Sequence, residues 1–214
     1  MRRLVHLLMS PASRLVRLAL AEKRVPCQLA SPEDPQAHLP VLVDLDGRSV
    51  TGLWAIVDHL EGAHPEPPLL PDDAVERADA LRMLDWAMTH FQDEVCRRIV
   101  FQKAPQAHTG SNTRQAPDMQ TVRLGRQALR GSLPHLGALA DRHGFLASRE
   151  VSLADLAMAA HLSALDYFGE VPWAEFQPIT EWYTRMKSRP SFRPLLADRV
   201  PGQPPVPHYA ELDF

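Results

Sequence analysis

The sequence predicts an α+β protein, in which a small domain of mixed strands and helices precedes a larger all-helical domain. Short apolar runs alternate with helical patterns in the first third of the chain. Four prolines then fall between His64 and Pro71, a composition typical of a linker. Beyond them, apolar residues recur at spacings of three and four from Leu81 to Ile99, which is the period of an amphipathic helix.

The first domain, residues 1–63, predicts the order strand, helix, strand, loop, hairpin, helix. Apolar periodicity and turn residues place these elements at residues 3–9, 13–23, 27–30, 40–44, 48–50 and 53–60. The hairpin is indicated by Asp46-Gly47 between two strand-like runs, since glycine is favoured at such turns. A linker follows over residues 64–72.

The helical domain is expected over residues 73–199. Apolar stripes and helix-start signals place its helices near residues 81–99, 118–141, 152–168 and 179–187, with a short one after Pro190. Pro134 should kink or restart the second of these, because proline lacks the backbone donor of a helix interior. Ser152 and Asp155 have the spacing of a capping box. Residues 200–214 contain four prolines and no helical stripe, so we expect an extended tail.

Composition limits the function. The chain of 214 residues is 45% hydrophobic and 23% charged, which suits a globular protein with a sizeable core. A net charge of −3 gives no reason to expect nucleic acid as a partner. The two cysteines suit a reducing compartment, and no apolar run approaches the length of a membrane span. The histidines lack metal-ligand spacing, so we expect a cytoplasmic protein without a metal site or membrane insertion.

Several runs resemble the glutathione S-transferase superfamily. Residues 10–23 resemble its first helix, Leu39-Pro40-Val41-Leu42-Val43-Asp44 its cis-proline strand, and residues 55–60 its third helix. The capping box at 152–155 matches that of its C-terminal domain. The resemblance covers most of the chain and implies a thioredoxin-like N-terminal domain, an all-α C-terminal domain and a cis peptide bond before Pro40.

A narrower resemblance covers residues 116–214. The distinctive runs are Ala116-Pro117-Asp118-Met119, His161 to Gly169, Val171-Pro172-Trp173, Trp182-Tyr183, Lys187 to Leu196 and His208 to Phe214. They resemble the FtsZ-localised, glutathione-transferase-like division proteins of alphaproteobacteria. The resemblance implies a homodimer that binds FtsZ and uses its C-terminal tail for contact with a second division protein.

Glutathione chemistry in this fold needs a hydroxyl near the positive end of the first helix, which stabilises the thiolate. Ser10 stands where serine-type transferases place that hydroxyl, and Ser13 is a weaker candidate. Ser10 equally suits a purely structural role as a helix cap before Pro11. The resemblance places the rest of the glutathione site at Leu39, Pro40, Gly52 and Leu53.

Two departures from the superfamily weaken that site. Catalytic relatives hold the γ-glutamyl group with an acidic residue or glutamine followed by serine, whereas Gly52 and Leu53 offer no polar side chain. The segment between Ser13 and Pro40 is also shorter than in the superfamily, and the missing part is the second helix. We therefore expect a non-catalytic cell-division adaptor without a cofactor. The alternative is a glutathione S-transferase with Ser10 at the thiolate and glutathione as co-substrate.

Two surfaces are candidates for partners. The superfamily resemblance implies a dimer interface on the first two helices of the C-terminal domain. Its candidates are the residues off the apolar stripe, Met83, Trp86, Ala87 and His90, unless they too are internal. In the tail, the partner-binding residues would be His208, Tyr209, Leu212, Asp213 and Phe214. A stiff proline-rich segment loses little entropy on binding, which suits short-motif recognition. The alternative is a tail that docks on its own domain.

Overall fold

The computed structural model describes residues 1–34, 37–110 and 116–211. One sheet contains the strands β1 (Arg2–Val5), β2 (Cys27–Ala30), β3 (Val41–Val43) and β4 (Ser49–Thr51). Its spatial order is β2-β1-β3-β4, with β1 parallel to β2 and antiparallel to β3, and with β3 and β4 forming the expected hairpin. The predicted fold class is confirmed.

Helix α1 (Pro11–Glu22) follows β1, and α2 (Leu53–Ala63) follows β4; the two helices contact each other. Strand β1 is shorter than predicted and ends at Val5. Its chain then turns, because the Leu7 amide donates to Ser13 Oγ and the Ser10 amide donates to the Leu7 carbonyl. The residues after β1 therefore form a loop at the start of α1.

The second domain is helical. Its α-helices are α3 (Ala74–Trp86), α4 (Arg97–Lys103), α5 (Gln106–Thr109), α6 (Met119–His143), α7 (Leu153–Tyr167), α8 (Gln177–Lys187) and α9 (Arg193–Leu196). A π-helical stretch, Ala87–Cys96, joins α3 to α4 in one long helix. Every residue of α7 is buried, as expected for a helix surrounded by the others.

One detail of the helical prediction is wrong. Leu81 is 43% exposed, and the core face of α3 passes through its neighbour Ala80 and through Leu84. Helix α6 runs through Pro134 and packs against α4 and α8. Of the two outcomes expected at Pro134, a kink or a restart, the restart does not occur.

The predicted capping box at the start of α7 is present. The fully buried Asp155 accepts hydrogen bonds from the Ser152 amide at 3.0 Å, from the Leu146 amide at 2.9 Å and from Trp182 Nε1 at 2.9 Å. Burial raises the pKa of Asp155 above its ordinary value. This carboxylate joins the α6–α7 loop, α7 and α8, so its role is structural.

The C-terminal segment is not an extended tail over the residues that the structure describes. Residues 198–211, called the strap below, lie on the helical domain and include a 3₁₀ turn at Pro207–Ala210. Tyr209 is fully buried, and the Val206 amide donates to the Tyr167 carbonyl at 3.1 Å. The expected extended tail is therefore corrected over residues 200–211, which follow the alternative of a tail docked on its own domain; residues 212–214 lie outside the described residues.

Candidate functional site

The sheet brings the predicted glutathione-site segments to one of its ends. Val5, the last residue of β1, pairs with Val41, so the loop that leads to Ser10 starts beside Pro40. Across the hairpin, the Gly52 amide donates to the Pro40 carbonyl at 2.8 Å. The Ser10 loop, Pro40 and the start of α2 therefore meet at one edge of the first domain.

The two candidate serines have different environments. Ser10 caps α1 and is partly exposed; its Oγ accepts from the Ser13 amide over a long 3.5 Å. Ser13 is fully buried, and its Oγ accepts from the Leu7 amide at 3.1 Å. Ser13 therefore holds the loop and has no surface for a ligand, which removes it as a catalytic candidate. Ser10 retains a weakly engaged hydroxyl at the positive end of a helix.

The Leu39–Pro40 peptide bond is cis, as the superfamily resemblance implies. Leu39 is half-buried and Pro40 is buried. Between β2 and β3, the described residues 31–34 and 37–40 contain no helix, in agreement with the shortened segment seen in the sequence. The wall that a second helix would supply is therefore absent from the described part of this segment.

Position 52 is shaped for glycine. Gly52 has φ of +90°, a backbone conformation that side-chain-bearing residues rarely adopt. A methyl group added there would lie only 3.0 Å from His38 Nε2. The imidazole of His38 thus stands where a side chain at position 52 would project, and Leu53 beside it is buried and apolar. Periodicity in the sequence gave no signal for this role of His38.

A segment of the helical domain lies against the Ser10 loop. The Met9 amide donates to the His108 carbonyl of α5 at 2.8 Å. His108 is partly covered, and burial lowers the pKa of its imidazole. The sequence predicted no helix between those near residues 81–99 and 118–141, so this contact of α5 with the first domain was missed.

One turn along α1 from Ser10, a buried polar cluster joins the two domains. Its members, called the clamp below, are Arg14, Arg17, Asp198 and Tyr209. The Arg14 side chain is fully buried and donates to Asp198 at 3.1 Å and to the Tyr209 hydroxyl at 3.2 Å. Arg17 donates to both Asp198 oxygens at 2.8 Å each.

His6 lies close to the clamp. It is 8% exposed, and burial, reinforced by the charge of Arg17, lowers its pKa to about 4. No protein atom of the described residues bonds to its Nδ1. His6 is therefore a neutral side chain next to buried cations.

The predicted dimer residues divide into two groups. Met83 and Trp86 are half-buried and line a mostly apolar groove of about 370 Å³ between α3 and α6, with His90 exposed nearby. Ala87 is fully buried in the core, which removes it from any interface. The correction has the same cause as that of Leu81, since the core face of this helix passes through Leu84 and Ala87.

The predicted tail residues also divide. The Tyr209 side chain is fully buried in the clamp and offers no surface to a partner, a correction to the sequence-based interpretation. His208 is partly exposed; its Nε2 lies 3.2 Å from the buried Asp166, and its carbonyl accepts from Lys187 Nζ at 3.1 Å. Leu212, Asp213 and Phe214 lie outside the described residues.

The described residues were also considered as a possible metal site or membrane span, and they provide neither. Among the described residues, no group of three or more His, Cys, Asp and Glu side chains is placed to hold a metal ion. In the same ranges, no helix combines the length and the apolar character needed to cross a membrane.

Comparison with known proteins identifies relatives for both domains. The model of the glutathione S-transferase N-terminal domain matches residues 4–68, and that of the C-terminal domain matches residues 103–190. The chain is 43% identical to FtsZ-localized protein A from Caulobacter vibrioides, in an alignment that covers 100% of this chain and 98% of that protein.

Solved structures show the same two similarities, to FtsZ-localized protein A and to glutathione S-transferases. The structure of FzlA from C. crescentus is 43% identical and superimposes with a TM-score of 0.92 over 100% of this chain and 99% of that one. A glutathione S-transferase from Rhodospirillum rubrum is 40% identical, with a TM-score of 0.93 over 100% of both chains. A more distant transferase from Methylobacterium radiotolerans, solved with glutathione sulfonate, is 27% identical, with a TM-score of 0.71 over 93% and 99% of the two chains.

Proposed function

The chain belongs to the glutathione S-transferase family, and from this premise we propose that it is a cell-division adaptor that binds FtsZ. The observation that carries the proposal is the 43% identity to FtsZ-localized protein A along the whole chain. A match of this extent includes both domains and the strap, so it supports a shared role and not only a shared fold.

The candidate glutathione site supports a non-catalytic role. Gly52 and Leu53 supply no polar side chain, and His38 fills the space above Gly52. A charge-assisted hydrogen bond contributes about 1.5–3 kcal/mol, so the loss of two weakens glutathione binding by roughly two to four orders of magnitude. The pocket therefore binds glutathione too weakly for efficient conjugation.

The test is co-sedimentation with polymerised FtsZ at micromolar protein. We expect the full chain to pellet with polymer and to stay in the supernatant without it. A variant lacking Asp213 and Phe214 should pellet equally, because these residues are assigned to a second division protein. Full-length chain that stays in the supernatant beside polymer contradicts the adaptor proposal.

The second partner would be bound through the terminal residues Leu212, Asp213 and Phe214. The described strap ends at Glu211 on the helical domain, so these three residues follow a fixed point of attachment. Loss of division signalling with intact FtsZ binding, in the variant lacking Asp213 and Phe214, is the expected result. The two free cysteines suit the reducing cytoplasm, where we place the protein.

A homodimer is part of the same proposal. The groove beside Met83 and Trp86 has mostly apolar walls, which also include Leu139, Leu146 and Ala147, and a second copy is the occupant we assign to it. Sedimentation equilibrium should give the mass of two chains for the wild type and for Val75→Lys, whose side chain is exposed on the same helix. Met83→Lys should shift the equilibrium to one chain; a monomeric wild type contradicts the assignment.

A glutathione transferase is the second candidate function. It is favoured by the partly exposed Ser10 hydroxyl at the start of α1 and by the 40% identity to the R. rubrum transferase. Conjugation of glutathione to a chlorinated dinitrobenzene, compared between wild type and Ser10→Ala, distinguishes the two. Turnover above the uncatalysed rate that Ser10→Ala abolishes would favour the enzyme; equal background rates in both favour the adaptor.

A further inference from the structure

The Arg14 side chain makes contacts in two directions. Towards the first domain, its Nε donates to the Leu8 carbonyl at 2.9 Å and its Nη2 contacts Met9 Sδ at 3.4 Å, both in the loop that precedes Ser10. Towards the strap, it donates to Asp198 and to the Tyr209 hydroxyl. A single planar guanidinium with five N–H donors thus connects the Ser10 loop to the C-terminal segment.

The strap has few apolar anchors of its own. Of its residues, Tyr209 and Val200 are buried among the apolar ones and Val206 is half-buried, while most of the others are exposed or partly so. Segments with few buried apolar contacts open locally at a lower free energy than the whole fold. The strap therefore meets the physical requirement for an element that undocks while the domains stay folded.

The docked position of the strap is nevertheless specific. The Tyr209 hydroxyl accepts from Arg14 and donates to the Leu195 carbonyl at 2.8 Å. Three positions before Tyr209, Gly169 approaches Val206 so closely that a methyl group on Gly169 would lie 2.8 Å from Val206 Cγ1. Near the start of the strap, the Val200 amide donates to the Tyr167 hydroxyl at 2.8 Å. Such contacts along the strap give it one docked state, and release of Tyr209 leaves Arg14 without one of its acceptors.

We propose that the strap is a conformational device that couples the C-terminus of the chain to the Ser10 loop through Arg14. When the strap is docked, Arg14 is held by Asp198 and Tyr209 and fixes the Leu8 carbonyl. When residues 203–211 of the strap undock, Arg14 loses Tyr209 but still donates to Asp198 and to Ser163, and the loop becomes more mobile. Coupling of this kind is reciprocal, so an event at the loop also changes the docking of the strap.

This coupling does not depend on whether the loop binds glutathione or whether the C-terminus binds a division protein. Because Tyr209 lies just before the terminal residues, binding of a partner at the C-terminus would change the mobility of the Ser10 loop, and binding at the loop would change the docking of the strap. The coupling consists of the contacts of one side chain and is therefore open to test by single substitutions.

Hydrogen–deuterium exchange of the full chain is the test, with Tyr209→Phe as the main variant. The substitution keeps the ring that packs edge-on against Tyr167 at 5.1 Å and removes only the hydroxyl. A hydrogen bond to a charged group contributes enough to change an opening equilibrium about tenfold or more. We expect exchange to rise by about that factor in residues 7–10 as well as in 203–211, with residues 53–63 unchanged.

Two further variants make the result decisive. Asp198→Asn weakens the hold on Arg14 from a second side and should give the same pattern, whereas Glu211→Gln changes an exposed strap residue and should leave residues 7–10 as in the wild type. Faster exchange confined to residues 203–211 would overturn the coupling. Faster exchange spread equally over residues 53–63 would also overturn it, because the hydroxyl would then act only on global stability.

Discussion

Ser10 and Arg14, at the two ends of the first turn of α1, differ in how many hydrogen bonds their side chains make. Around Ser10 the polar contacts are few. Its hydroxyl accepts only a long capping bond of 3.5 Å from the Ser13 amide, and Gly52 and Leu53 at the start of α2 contribute no polar side chain. At Arg14, every donor direction meets an acceptor from one domain or the other. Arg14 and Arg17, the charged side chains in the first half of this helix, therefore serve the junction between the two domains.

The clamp should give the largest effect on stability. Arg14→Met retains most of the side-chain volume but removes one of the two arginines that bond to Asp198, together with the donor to the Tyr209 hydroxyl. Loss of one member of a buried ion pair costs up to about 3–5 kcal/mol. Chemical denaturation followed by circular dichroism measures the loss. Arg48→Met is the matched control, because its side chain is 88% exposed, and it should change the free energy of unfolding very little. If both variants changed the free energy of unfolding by a similar, small amount, the clamp would not stabilise the fold as proposed.

Acid should weaken the protein through two buried histidines. Burial lowers the pKa of His161 to about 4, and burial with the charge of Arg17 does the same for His6, whereas the ordinary value is 6.5. As pH falls from 6.5 to 4, the unfolded chain therefore binds protons that the folded protein does not. The free energy of unfolding falls by up to about 3 kcal/mol per histidine over this range, with no further loss from them below it.

Substitution separates the two histidines. His161 Nδ1 lies 2.7 Å from the Ala157 carbonyl oxygen, and its Nε2 lies 3.1 Å from Gln92 Oε1, so His161→Gln keeps a polar side chain among these groups. His6→Gln tests the residue beside the clamp. Unfolding midpoints in urea at pH 7 and near pH 4.5 should differ less in each variant than in the wild type. An unchanged acid loss in both variants contradicts the assignment.

The glutathione-site end should respond through backbone and steric strain. Gly52→Ala forces a side chain into a positive-φ position and against His38, at an expected cost of about 1–3 kcal/mol. Gly62→Ala, in α2 with open space around the added methyl group, should instead stabilise by roughly 0.5–1 kcal/mol. Adding His38→Ala to Gly52→Ala should recover the steric part. Equal thermal midpoints for the two single variants would contradict this reading of position 52.

The smallest expected effect is that of Ser10. Ser13→Ala leaves the buried Leu7 amide without its acceptor and should cost about 1–3 kcal/mol. Ser10→Ala removes a long capping bond and should cost no more than about 1 kcal/mol. Urea midpoints of the two variants provide the ranking. A larger loss for Ser10→Ala would mean that its hydroxyl has a stronger structural role than the geometry indicates.

Much of the fold was predictable from the sequence because local residue patterns specify most of its elements. The capping box at Ser152 and Asp155, the Asp46-Gly47 hairpin and the strand–helix alternation all depend on residues a few positions apart. The ends of individual elements depend on residues further away and were predicted less accurately. Strand β1 ended early because the Ser13 side chain, several residues further on, captures the Leu7 amide.

The clamp could not be predicted, because its partners are far apart in the sequence and because arginine is usually exposed. Arg14 and Tyr209 are separated by 195 positions, and no periodicity marks either as buried. The burial of Ala87 and Tyr209, and the place of His38 over Gly52, likewise depend on tertiary packing. Resemblance alone assigned Ser10, Leu39, Pro40, Gly52 and Leu53 to the candidate glutathione site, and the structure brings their segments together.

The most direct test of the candidate glutathione site is a calorimetric titration of the full chain with glutathione, repeated with glutathione sulfonate. We expect no saturable heat at low millimolar ligand, for the wild type and for Ser10→Ala alike, because positions 52 and 53 supply no polar side chain. Saturable micromolar binding by the wild type that Ser10→Ala weakens would contradict it and would favour the enzyme over the adaptor.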